Sequence, residues 1–420
     1  MKKRTITSLL AIQAILVFTG NCSLAQTRYE WPCFHGPDRT NKSTETGLLQ
    51  KWPAGGPELI LTIQGLGEGY SSVSVAGGMI FTAGVENNIP YVFAFDLNGK
   101  PVWKKPAGGK WSTTASWASS YTGPRCTPTY DNGIIYFLGE MGLLTALDAK
   151  TGKEKWQIDL PVAFEASPTE YGYAESVMID GEFLYVRPVG KKGHQVCLDK
   201  STGKLIWANT RIPGVESYTS PVIANHGGYK MLLGGSSVCY YGVDSKTGKL
   251  LWTIDVVNQQ ACNISDPVFH NGHIFISSGY GFGSMLWKLS VSGSQIRPEK
   301  VWQSTLMDNH HGGLIFHNGY IYGSGSRTRG WYCLDFMTGE QKWKAGNDEG
   351  SITFAEGMLY ALDQKGTMRL VRATPDRYEV NGEFRLPSGG TGMYWAHPVV
   401  CDKRLYVRHA GKIFVYDISR

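Results

Sequence analysis

The sequence predicts an all-β protein, an eight-bladed β-propeller of four-stranded antiparallel blades whose last blade is closed by an N-terminal strand. Three observations predict it. A unit of nine or ten residues ending in Trp recurs along the chain, a short apolar hairpin recurs eight times, and the two ends of the chain supply complementary parts of one blade. Composition agrees, since 52 evenly spread glycines and 12% aromatic residues suit many short strands joined by tight turns.

The chain begins "MKKRTITSLLAIQAILVFTGNCSLAQT": a basic head (Lys2, Lys3, Arg4), an apolar run from Leu9 to Phe18, and the small-residue site Ser23-Leu24-Ala25. This pattern predicts a secretory signal over residues 1–25, cleaved after Ala25. Lipoprotein anchoring at Cys22 is the weaker alternative, because Thr19-Gly20-Asn21 makes a poor lipobox. No later segment has the roughly 18 continuous apolar residues of a membrane helix, so the mature chain is expected to be periplasmic or secreted and not membrane-spanning. Residues 26–49 form an N-terminal extension and 50–420 a single propeller domain. The formal net charge is +6 before the three signal cations are removed, which gives no reason to expect nucleic acid. Seven cysteines remain beyond Cys22, without CxxC or CxxCH spacing, so neither a zinc knuckle nor a c-type haem site is indicated.

The repeated unit reads "FDLNGKPVW" (95–103), "LDAKTGKEKW" (147–156), "LDKSTGKLIW" (198–207), "VDSKTGKLLW" (243–252) and "LDFMTGEQKW" (334–343). Its Asp caps a turn, its Gly takes the positive φ of the reversal, and its Trp is expected to pack on the following strand. Eight alternating hairpins, from "VSVAGGMIF" (73–81) through "PTYDNGIIYF" (128–137) to "PVVCDKRLYV" (398–407), follow one another at intervals of 38 to 55 residues. That is the signature of eight blades. The last copy stops at "VYDISR" without an outer strand, and "PELILTI" (57–63) resembles the outer strands of other copies. Pairing the two closes the ring and removes an exposed edge.

The repeat "ALDAKTGKEKW", the N-terminal "WPCFHGPDRT" with "GLGEGYSS", and the C-terminal "WAHPVVCDKRLYVRH" resemble the pyrroloquinoline-quinone-like (quinoprotein alcohol dehydrogenase-like) β-propeller repeat proteins of bacteria. That superfamily contains both dehydrogenases and a scaffold lipoprotein of outer-membrane barrel assembly. The resemblance implies that the first strand of each blade lines the central channel. The residue three before the start of each hairpin strand is then Tyr70, Arg125, Tyr173, Tyr218, Ile264, His311, Glu349 or Trp395. The residue one before is Ser72, Thr127, Glu175, Ser220, Asp266, Gly313, Ser351 or His397. On an extended strand the two positions share a face, and together they predict a polar and aromatic funnel of the kind that binds a small ligand.

The expected function is non-catalytic: recognition of a small molecule, a carbohydrate or alcohol among the candidates, or of a partner segment, or a scaffold role. The ligand-contacting set is Tyr70, Arg125, Tyr173, Glu175, Tyr218, Asn263, His311, Trp395 and His397. The alternative implied by the resemblance is a dehydrogenase of alcohols or sugars dependent on pyrroloquinoline quinone (PQQ) and calcium. In it Glu175 and Asn263 ligate calcium, Asp308 is the base, Arg125, Arg327 or Arg329 contacts the quinone, and Trp395 stacks on it. The chain lacks the adjacent-cysteine disulfide and the haem motif of such enzymes. "GKWSTTASWASSYTG" (109–123), with Trp111, Trp117 and Tyr121, reads as a lid over the funnel or a loop packed on a neighbouring blade. In "DNHHGG" an extended backbone sends His310 and His311 to opposite faces, leaving His311 in the funnel and His310 between blades. Cys197 and Cys333 fall in the slot of Ala94 and Ala146 and read as small core packers.

Overall fold

The computed structural model describes residues 29–116, 118, 121–167, 170–215 and 217–420; the signal, Ala25, Cys22 and Trp117 lie outside them. Each hairpin forms the inner pair of strands of a sheet, and eight such sheets form the propeller. Blades 1 to 7 span 74–106, 129–159, 178–209, 222–255, 268–304, 315–345 and 350–385. Blade 8 takes three strands from 399–417 and its outer strand, Glu58–Gln64, from ahead of blade 1. That strand runs antiparallel to the last one, with Glu58 opposite Asp417 and Gln64 opposite Lys412, as the ends of the sequence predict. Among the described residues, no helix is long and apolar enough to cross a membrane.

Alternation along the second strand of blades 1, 2, 3 and 6 places an aromatic ring in the space between blades. Phe81, Tyr136, Tyr185 and Tyr322 are fully buried, and each faces a small residue across the strand pair: Ala94, Ala146, Cys197 and Cys333. Small opposite large keeps the volume constant from blade to blade, which a close-packed interior requires. The two cysteines are therefore packing residues, and burial pushes their thiols up to about 12, far from a reactive thiolate.

The repeat Trp reaches across to the turn of the next blade. Trp103, Trp156 and Trp207 donate their indole N–H to backbone oxygens of Ala149, Lys200 and Ser245 in the next blade, at 2.9–3.0 Å. Their rings lie on the turn glycine of that blade, where a Cβ on Gly248 would come within 2.4 Å of Trp207. Glycine is thus required there twice, by a positive φ of 71° and by the ring. Blade 5 replaces the Thr-Gly turn with a long hairpin of two ten-residue strands, Gly283–Ser292 and Gln295–Ser304. Trp252, which precedes it, has no acceptor for its indole N–H among the described residues.

Residues 29–49 run across the ring. Trp31 bridges Val75 of blade 1, and the Arg39 guanidinium donates to the carbonyls of Ser176, Val177 and Pro221 at the inner edges of blades 3 and 4. Lys42–Ser43 then adds a parallel strand to Phe354–Ala355 of blade 7, making that sheet five-stranded. The Glu45 carboxylate accepts from the N–H groups of Asp402 and Lys403 in blade 8. His35, Arg39 and Asn41 all adopt positive φ, a conformation that costs non-glycine residues about 1–2 kcal/mol each and is sustained by these contacts.

Candidate functional site

The inner strands of seven blades begin around a cavity of about 290 Å³, close to the lower end of the range for small-molecule pockets. Its walls carry Tyr70, Tyr121, Tyr171, Tyr218, Tyr280, Trp395, Ile264 and Arg125, and deeper in, Ser220, Asp266, Gly313 and His397. Phe34 and His35 from the crossing N-terminal segment also line it. The ring of Trp395 is the centre of an aromatic cluster, with Tyr70, Tyr121 and His311 at centroid distances of 5.0–5.2 Å.

Of the residues the sequence marks for this place, Tyr70, Arg125, Tyr218, Ser220, Ile264, Asp266, His311, Gly313, Trp395 and His397 line the cavity; Ser72, Thr127, Tyr173, Glu175, Asn263, Asp308, Glu349 and Ser351 do not. Blade 3 explains two of these. In blades 2, 5 and 6 the turn is Asn-Gly with both residues at positive φ. In blade 3 the first strand ends at Asp180 and the second begins at Phe183, so the turn is Gly181-Glu182 and glycine stands first. Aligning the blades on glycine shifts this strand by one residue, and a one-residue slip turns every side chain to the other face. Ala174 and Ser176 therefore line the cavity, while Tyr173 points into the core and donates its hydroxyl to Pro188 O at 2.9 Å. Glu175 accepts from the backbone N–H and Nε of Arg187 at 2.6 and 2.7 Å, a fully buried ion pair.

The lid sequence is split in its roles. Tyr121 reaches the cavity, whereas Trp111 is buried behind it, donating to Glu170 O at 2.9 Å and carrying the Arg125 guanidinium 5.2 Å above its ring.

The adjacent histidines also depart from the extended reading. Met307 takes a φ of 50° and Gly313 one of 75°, the segment between them bends, and both imidazoles face the cavity with their Nδ1 atoms 3.1 Å apart. His310 Nε2 contacts the Tyr280 hydroxyl at 2.9 Å. His397 Nε2 donates to His311 O at 2.6 Å, and its Nδ1 lies 3.0 Å from His35 Nε2. Burial first, and then the adjoining imidazole, push His397 down to about 3; burial pushes His310 to about 4 and His311 well below its ordinary range. All three are neutral at neutral pH, so each has one donor and one acceptor nitrogen. The carbonyl fixes the proton of His397 on Nε2, its Nδ1 accepts, and His35 Nε2 must donate. His35 Nδ1 lies 3.2 Å from Asp266 Oδ2. Gly313 leaves room for the crossing segment, since a Cβ there would meet Asn41 and His397 at 3.0 and 3.1 Å. Phe34, His35 and Tyr280 carry no repeat phase; the signal for His310 was the Gly312-Gly313 pair that follows.

A family model described as outer membrane protein assembly factor BamB, of PQQ-like repeat type, matches residues 90–345, more than half of the chain. The chain belongs to that family. Among curated members of the wider group, it is 28% identical over 199 residues to the quinohemoprotein alcohol dehydrogenase ADH IIB of Pseudomonas putida, covering 44% of this chain and 26% of that one. It is 24% identical over 264 residues to the assembly factor BamB of Moranella endobia, covering 59% and 64%. The chain thus spans about a quarter of the dehydrogenase and under two thirds of the assembly factor. The solved structure of BamB from Moraxella catarrhalis superposes with a TM-score of 0.59 at 15% identity, over 86% of this chain and 99% of that one. That of the quinohemoprotein alcohol dehydrogenase from Comamonas testosteroni gives 0.60 at 13%, over 93% and 80%. These likenesses establish the PQQ-like propeller fold.

The quinone and calcium that part of this superfamily uses can be tested against the residues present. Calcium requires six to eight oxygen ligands with lone pairs to give. Glu175 is committed to Arg187. The Asn263 amide donates to Ser236 O and Val256 O, and its oxygen accepts from the Ser278 hydroxyl at 2.7 Å. Both Asp308 oxygens are occupied, by the N–H groups of Gly281, Arg327 and Thr328 and the Thr328 hydroxyl. Among the described residues, no group of three or more His, Cys, Asp and Glu gathers to hold a metal. These residues do not fit a calcium-supported quinone site.

Proposed function

We propose that the protein is an exported, non-catalytic binding protein that holds a small ligand in the aromatic pocket at the head of its channel. The observation that carries this reading is the floor: Phe34 and His35 of the crossing segment line the pocket, and Arg39 is tied to the inner edges of blades 3 and 4, so the space is a blind cup. Aromatic walls with a few convergent polar groups are the usual composition of such a cup. The saturated state of Glu175, Asn263 and Asp308 supports binding over quinone chemistry. Export rests on the signal-like first 25 residues.

Family membership favours a second reading, in which the occupant is a segment of a partner protein. A cavity of about 290 Å³ admits only one or two side chains of such a segment, which puts the free small molecule first. The deciding experiment incubates the mature protein with PQQ and calcium chloride, then measures melting temperature and dye-linked oxidation of primary alcohols and aldoses. No thermal shift and no dye reduction are expected. Turnover dependent on both additions would overturn the proposal.

A further inference from the structure

The charge pattern of the pocket narrows the class of its ligand, an inference that rests on the binding reading above. Among the described residues, Arg125 is the only Lys or Arg on the cavity wall. Its guanidinium donates to the backbone oxygens of Tyr171 and Tyr121 at 2.9 and 2.7 Å and sits between the rings of Trp111 and Tyr171, 5.2 and 5.9 Å away. Those contacts fix its orientation and bring no negative charge. Among the described residues no carboxylate lies within ion-pair distance of it. Asp266, the one acid among the described residues of the wall, accepts from the Ser220 N–H at 2.6 Å through Oδ1, while its Oδ2 faces His35 Nδ1 at 3.2 Å with no hydrogen-bond donor of its own. Glu140, buried behind the wall, is pushed by burial up to about 7 in spite of Arg125, so at neutral pH it supplies only part of a counter-charge. An arginine keeps its proton even when desolvated, and a half-buried cation without a paired anion carries part of the desolvation cost of a buried one. A second group has an unmet bond: His311 lines the cavity and its Nε2 is buried with no partner among the described residues.

We propose that the pocket binds a small monocarboxylate with a flat or compact apolar body. The carboxylate meets Arg125 in the paired N–H geometry that a guanidinium offers, the body lies against Trp395 and the neighbouring tyrosines, and a single polar substituent reaches His311 Nε2.

The test uses the full mature chain and a set of acids, each beside its amide: benzoate, 3-phenylpropionate, indole-3-propionate and hexanoate, with glucose as a neutral sugar. Binding is read by calorimetry and by quenching of tryptophan fluorescence. At least one acid is expected to bind with a Kd below about 1 mM and its amide at least about tenfold more weakly. Arg125→Gln is expected to abolish that difference without lowering the melting temperature, and Arg125→Lys to restore part of it. Should Arg125→Gln fail to fold, the acid and amide pairs on the unmodified chain decide alone. Equal binding of acid and amide, binding of glucose but no acid, or no binding of any acid would each overturn the carboxylate inference while leaving the pocket's non-catalytic role standing. Quinone-dependent turnover would instead overturn that role itself.

Discussion

Two sets of polar residues stand around the channel, one fully buried and one half-buried at the cavity wall, and they differ in how completely their polar atoms are engaged. Glu175, Asn263 and Asp308 have every polar atom engaged by protein: an ion pair with Arg187, three amide bonds, and four donors on one carboxylate. Arg125 and His311 are half-buried at the cavity wall and retain bonding capacity that the described protein does not use. Polarity and burial alone do not distinguish a site from scaffolding. What distinguishes them is the balance of donors and acceptors, because a satisfied group has nothing left for a ligand and an unsatisfied one carries a standing cost that a ligand relieves.

The contrast can be broken most forcefully at the ion pair. Glu175→Ala leaves the Arg187 cation buried and unpaired, so a loss of about 3–5 kcal/mol is expected in urea unfolding; a loss below about 1 kcal/mol would show that Glu175 is not scaffolding. Next comes Asp308→Ala, which strands four donors around Gly281, Arg327 and Thr328. A loss of about 3 kcal/mol is expected, with no change in the affinity of any pocket ligand.

Acid sharpens the comparison from the other side. His310 and His397 have folded pKa values lowered to about 4 and about 3, below the ordinary 6.5. The unfolded chain therefore binds more protons than the folded one in that window, and stability falls as pH drops from 6.5 toward 3. On the order of 2 kcal/mol should be lost per histidine by pH 4.5. His397→Gln should flatten the slope of melting temperature against pH over that interval; an unchanged slope would mean that other groups dominate acid unfolding. The smallest effect on stability is expected at the pocket wall itself. His311→Asn and Trp395→Ala should each shift unfolding by less than about 1.5 kcal/mol, yet weaken a bound carboxylate severalfold in calorimetry.

The ring was legible because its signal is repeated eight times, so a turn or Trp lost in one copy is supplied by the others. The missing Thr-Gly turn of blade 5 did not hide the blade. The wall of the pocket was legible where strand phase is regular: Tyr70, Arg125, Tyr218, His311, Trp395 and His397 all follow from counting back from a hairpin. It failed where one residue altered the phase. Gly181 as first instead of second turn residue moved Tyr173 and Glu175 to the wrong face, and the positive φ of Met307 turned His310 into the cavity. The floor was illegible for a different reason. Phe34, His35 and Arg39 belong to a segment with no period, whose position is set by contacts to blades far away in sequence.

The strand Glu58–Gln64 has a consequence for the time course of folding. Its partner, Lys412–Asp417, follows it in the chain only after the seven other blades, so blade 8 must wait for their synthesis while blades 1 to 7 can each form from a contiguous stretch. Joining distant segments is entropically slow, and until it happens the outer face of the final strand is an unpaired edge open to another chain. The rate of ring closure, more than the stability of any blade, should set how much of the newly made protein escapes aggregation.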